Sequence, residues 1–117
     1  MQRFIRALAG CALVSSLAAC VVSPPPPPPA PHPDAHEIAE QRLRQVYGRI
    51  DNLSHRIDAH VNQGYYPPPQ GGSLHHRLDV IGQEARDMAA QHGGGLSGDE
   101  QRVLNQELDG AAHAIGE

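Results

Sequence analysis

Apolar residues recur at Ala39, Leu43, Val46, Ile50, Leu53 and Ile57, at spacings of 4, 3, 4, 3 and 4. An α-helix places residues so spaced on one face, and the alternation is a heptad with its a and d positions filled. The pattern predicts a helix over about 35–63. Asp34 stands where an N-cap belongs, and Glu37, three residues on, completes a capping box. His36 and His60 fall at the two ends of the stripe. Such a helix is roughly 43 Å long, too long for one short partner to cover. Glu40 and Arg44 pair at i,i+4 on its polar face, worth a few tenths of a kcal/mol.

Two shorter stripes follow. Tyr65–Gly72 (YYPPPQGG) reads as a break, with Ser73 as the N-cap of a second helix over about 74–92. Leu74, Leu78, Ile81, Ala85 and Met88 line its apolar face, and Gly93-Gly94-Gly95 ends it. Ser97 then caps a third helix over about 98–115, with Glu100 at N3 and Leu96 at the N′ position of a hydrophobic staple. Leu104, Leu108, Ala111 and Ile115 supply its stripe. The expected fold is all-α, a long helix plus two shorter ones over residues 34–117, packed as a three-helix bundle or a bent hairpin. With no Trp, and Phe4 the only Phe, the core is thin. A domain of that size is marginal alone, so self-association through the first stripe is an open expectation.

Val21 to Pro33 (VVSPPPPPPAPHP) precedes the helices, and eight of its thirteen residues are Pro. Proline fixes φ and lacks a backbone donor, which excludes helix interior and central strand. Residues 20–33 are therefore expected to form a disordered, Pro-rich spacer of polyproline II character, roughly 40 Å long at about 3.1 Å per residue.

The first twenty residues carry a different signal. Arg3 and Arg6 make a positive start, and Ala7 to Ala19 form an apolar run. Spanning a bilayer takes about 20 such residues, whereas a secretory signal takes fewer. A plain signal cut near Ala19 and an uncleaved anchor both fit these properties. Leu17-Ala18-Ala19-Cys20, however, resembles the lipobox of bacterial lipoproteins. That resemblance implies a signal peptide over 1–19, cleavage before Cys20, a diacylglycerol on the Cys20 sulfur and acylation of the new amine. Multiple acyl chains hold a protein on a bilayer far more firmly than one. By the family's sorting rule, Val21 after the acylated residue points to the outer membrane, facing the periplasm. Cys11 would leave with the signal, so the mature chain would hold no thiol pair.

Gly94-Gly95-Leu96-Ser97-Gly98-Asp99-Glu100, with Leu104 and Leu108-Asp109 after it, resembles helix openings in small helical periplasmic proteins of proteobacteria. The resemblance implies a helical domain and no particular activity.

The remaining chemistry is sparse. Net charge is −4, every basic residue is Arg, and the aromatics are three Tyr and one Phe. Nucleic-acid surfaces need a basic, aromatic-studded face, so nucleic acid is not an expected partner. Eight histidines invite a metal reading, since neutral imidazole is a common ligand. His36, His75 and His76 are the candidates, but Pro33 keeps His32 off the helix that carries His36, and adjacent His75 and His76 point about 100° apart. Neither HExxH nor CxxC occurs, and His92-Gly-Gly-Gly-Leu offers none of the early oxygens of a calcium loop. A nucleophile elbow and a phosphate loop are missing too. No cofactor and no enzymatic activity are expected. The expected function is a non-catalytic, membrane-anchored envelope lipoprotein whose helical domain is structural or binds protein. The alternative is a periplasmic protein that binds metal or responds to pH through its histidines.

Overall fold

The computed structural model describes residues 22–117. The chain divides into two units between Ala30 and Pro31. Residues 22–30 form neither helix nor strand and are exposed throughout. The predicted signal peptide and Cys20 lie outside the described residues.

The second unit is an all-α bundle of three helices, α1 (Ala35–Asn62), α2 (Pro68–Gln91) and α3 (Gly98–Ile115), each packed on the other two. No strand occurs among the described residues. Cross-contacts give the topology. His75 meets Ser54 and Asp58, and a Cβ on Gly95 would meet Ala39, so α2 runs antiparallel to α1. Gln101 meets Gln45, Arg49 meets Asn105 and Asp109, and Arg56 meets Glu117, so α3 runs parallel to α1.

Local chemistry sets the helix ends. At the start of α1, Glu37 N–H donates to Asp34 Oδ1 at 2.8 Å and Asp34 N–H donates to Glu37 Oε2 at 3.2 Å. Ser97 and Glu100 repeat this capping box at α3, at 3.1 and 2.9 Å. Beyond the C-cap of α1, Gly64 takes φ +78°, a left-handed conformation that suits glycine, and Tyr65 N–H donates back to His60 O at 2.9 Å.

The second helix starts earlier than its sequence predicts. It begins at Pro68, with Pro67 as N-cap, and not near residue 74. Pro68 and Pro69 occupy the first turn, where a fixed φ is already helical and no N–H is required. Ser73 lies inside the helix and donates from Oγ to Pro69 O at 3.2 Å, so it is not a cap. Gly71 is buried because α2 touches α1 there: a Cβ at this position would lie 2.5 Å from Val61 Cγ2. The two features that read as helix breakers are thus a helix start and a close approach.

Val46, Leu53 and Ile57 from α1, Leu78, Ile81, Ala85 and Ala89 from α2, and Leu104, Leu108, Ala111 and Ile115 from α3 form the core. No polar or charged residue among those described is buried. Leu43, Ile50, Leu74 and Met88 pack on its margin. Leu96 is fully buried, but it works as a clamp between segments. Its N–H donates to Ala39 O at 3.0 Å and its carbonyl accepts from Arg42, which ties the α2–α3 loop to α1.

Candidate functional site

Most of the histidines are spread singly over the bundle. His36 pairs with Glu40 on its own helix at 3.0 Å, and His55 sits beside Asp51 in the same way. His76 and His113 are exposed, and His32 lies before the first helix. His92 reaches Glu100 at 3.1 Å across the α2–α3 connection. Of the sequence candidates, His36 belongs to the first turns of α1 while His75 and His76 belong to α2, and His76 turns to solvent as His75 turns to α1. No three His, Cys, Asp or Glu among the described residues come together around one point.

His75 is the exception in the quality of its setting. Its Nδ1 lies 3.1 Å from Ser54 Oγ and its Nε2 lies 2.7 Å from Asp58 Oδ1. Ser54, Asp58 and Asn62 are one turn apart along α1, so the antiparallel α2 delivers one imidazole onto a polar stripe. Asp58, Asn62 and His75 line a cleft with Val61, Pro68, Gly71 and Gly72. Ser, His and Asp are the residue types of a nucleophilic triad, but acyl transfer also needs N–H donors aimed at the developing oxyanion. The adjoining first turn of α2 does not offer them. Pro68 and Pro69 have no N–H, and those of Gln70 and Gly71 donate to Pro67 O at 3.0 and 3.3 Å. The cluster orients an imidazole without preparing an anion hole.

Ser54, Asp58 and Asn62 were not singled out from the sequence. Their i,i+4 spacing is a visible signal, but which residue faces them depends on the register between α1 and α2.

A second concavity lies at the end of the bundle, lined by His60, Tyr65, Tyr66, Ile115 and Gly116. His60 Nδ1 is 3.0 Å from Ile115 O, at the C-terminal carbonyls of α3, and its ring meets Tyr65 and Tyr66 at centroid distances of 5.1 and 5.6 Å. The Tyr66 hydroxyl is buried without a hydrogen-bond partner. Burial, then the nearby Glu117 carboxylate, pushes its pKa up. The Arg56 guanidinium hydrogen-bonds Glu117 and holds that carboxyl below the usual range, against some desolvation.

Two further carboxyls move in opposite directions. Burial opposes ionisation of Glu100, but the hydrogen bonds with Ser97 and the proximity of His92 bring its pKa below the ordinary value. Glu107 is pushed up, first by burial and then by hydrogen bonding and repulsion with Glu84, with Arg77 opposing. A raised folded-state pKa contributes stability below the unfolded pKa and loses it as pH rises through the folded value. Glu107→Gln is therefore expected to melt above the wild type at pH 7, and the two should converge near about pH 4, where model carboxyls protonate. Thermal melts at both pH values check this; equal melting at pH 7 would contradict it.

No protein-family model, no curated protein and no solved structure matches the chain.

Proposed function

We propose that this chain is a non-catalytic, membrane-anchored envelope lipoprotein whose three-helix bundle serves as a structural or protein-binding module. The observation that carries this reading is Leu17-Ala18-Ala19-Cys20, followed directly by a segment with Pro24 to Pro29 in unbroken succession. A thiol preceded by small residues is what lipid transfer and signal cleavage require. A proline arm after it separates the working domain from the bilayer by stiffness instead of by folding.

The bundle is consistent with such a role. Its buried residues are apolar, so the core serves to hold the shape of the bundle. Among the described residues no helix is long and apolar enough to cross a membrane. In this reading attachment is by acyl chains on Cys20. Val21 at the position after the lipid favours the outer membrane, with the domain facing the periplasm. The partner is then a protein of the envelope or a second copy of the chain.

Expression in a bacterial host followed by detergent-phase partition tests the reading. The wild-type chain should follow the detergent phase, and Cys20→Ser should lose that behaviour or accumulate as an uncleaved precursor. A Cys20→Ser chain that is cleaved and partitions like the wild type would overturn it.

A further inference from the structure

We propose that the α1–α2 cleft around His75 binds one divalent transition-metal ion of the Cu²⁺, Ni²⁺ and Zn²⁺ class, held by His75 Nε2 and the Asp58 carboxylate, with Asn62 at its edge. The proposal stands apart from the membrane anchor and would survive its failure.

The bite of the pair suits an ion. Metal–ligand bonds to imidazole nitrogen and carboxylate oxygen are about 2.0–2.2 Å, so two ligands at neighbouring coordination positions lie roughly 3 Å apart. His75 Nε2 and Asp58 Oδ1 are 2.7 Å apart, from two different helices. The distance already matches, and the ring has only to turn off its hydrogen-bond axis for lone pair and carboxylate to converge on one ion. The second point is orientation. A ligating imidazole is held by a hydrogen bond at its other nitrogen, which fixes ring and tautomer. Ser54 Oγ sits 3.1 Å from His75 Nδ1 and can accept that proton, which frees the Nε2 lone pair. As the ion enters, the ring keeps one proton, on Nδ1 toward Ser54 Oγ, and only a second proton, where the ring carries one, leaves to solvent.

The third point is space. The wall of α2 facing Asp58 and Asn62 consists of Pro68, Gly71 and Gly72. A Cβ at Gly72 would meet nothing within 4 Å, so water can complete the coordination sphere without displacing a side chain. Asn62 follows Asp58 by one turn and lines the same cleft. Asp58 engages His75 through Oδ1, leaving Oδ2 for the ion or for a water.

The other His–carboxylate pairs lack one or more of these features. His36–Glu40 and His55–Asp51 are side chains of one helix, on exposed surface. In His92–Glu100 the carboxylate oxygen already accepts the Ser97 N–H. Mixed nitrogen and oxygen donors with open positions select borderline divalent ions, with Cu²⁺ bound more tightly than Ni²⁺ or Zn²⁺.

The test is a titration of the purified chain as the host processes it, with any free thiol alkylated, using Cu²⁺ in a non-chelating buffer and read by calorimetry and by electron paramagnetic resonance. One ion per chain should bind in the tightest class, with hyperfine coupling from a single imidazole nitrogen. His75→Ala should remove that signal and weaken binding at least tenfold, and Ser54→Ala should weaken it about tenfold through the lost orienting bond. His36→Ala and His76→Ala should change neither. Asp58→Asn is nearly isosteric at an exposed side chain, so it tests the ligand without threatening the fold, and it should weaken binding at least tenfold. The proposal is overturned if Asp58→Asn and Ser54→Ala leave the tightest affinity unchanged. It is equally overturned if His36→Ala or His76→Ala lowers that affinity as much as His75→Ala, which would mean scattered surface binding.

Discussion

Ile57→Asp is expected to leave the chain without a stably folded helical domain at 25 °C. Ile57 is fully shielded from solvent, and its Cγ2 stands 3.5 Å from where a Gly71 Cβ would be, in the tightest part of the α1–α2 contact. An aspartate there loses the isoleucine's packing and must be buried charged and unpaired or protonated, a penalty of several kcal/mol. Folded domains hold about 5–15 kcal/mol in total, and small ones lie toward the lower end. Far-UV circular dichroism and thermal melting measure the outcome. Melting like the wild type would mean that this stripe is not the core. Ile50→Asp should do less, because Ile50 packs on the margin of the core and is half-buried.

Gly95→Ala is the second large effect. The new methyl would lie 2.5 Å from Ala39 Cβ, 2.7 Å from Ala39 C and 3.0 Å from Glu40 N. Two of those three atoms are helix backbone, so the loop itself has to move. Moving it stretches the hydrogen bond from Leu96 N–H to Ala39 O and lifts Leu96 from its buried seat. Overpacking of this kind costs about 1–3 kcal/mol, and each 1 kcal/mol lowers the melting temperature of a small domain by about 4–8 °C. Gly72→Ala supplies the contrast, since it sits inside α2 with open space around it. There an added methyl should stabilise by about 0.5–1 kcal/mol, as alanine favours helix. If both variants melt alike, the close approach at Gly95 is not a constraint.

These two glycines show where sequence reading of this chain succeeds and where it stops. The apolar stripes and both capping boxes are local patterns, and the bundle uses them: Val46, Leu53 and Ile57 point inward, and Asp34–Glu37 and Ser97–Glu100 cap as expected. The start of α2 departs from the sequence expectation because Pro and Gly carry opposite meanings at a helix start and in its interior. Pro68 and Pro69 suit a first turn, and the value of Gly71 lies in its closeness to Val61, a contact between residues on different helices. The same limit applies to the His75 cluster. Periodicity shows that Ser54, Asp58 and Asn62 share a flank of α1, but only the antiparallel register of α2 puts an imidazole between Ser54 and Asp58. Heptad spacing also ranks Ile50 with Ile57, although the margin of the bundle and its centre differ in how much water they exclude.

Anchorage at Cys20 is the claim on which the functional reading rests, and the mass of the chain extracted from membranes tests it most directly. The mature N-terminus should be Cys20, with diacylglycerol on its sulfur and an acyl chain on its amine. A chain recovered with a free Cys20 thiol, or with an N-terminus at another residue, would contradict it.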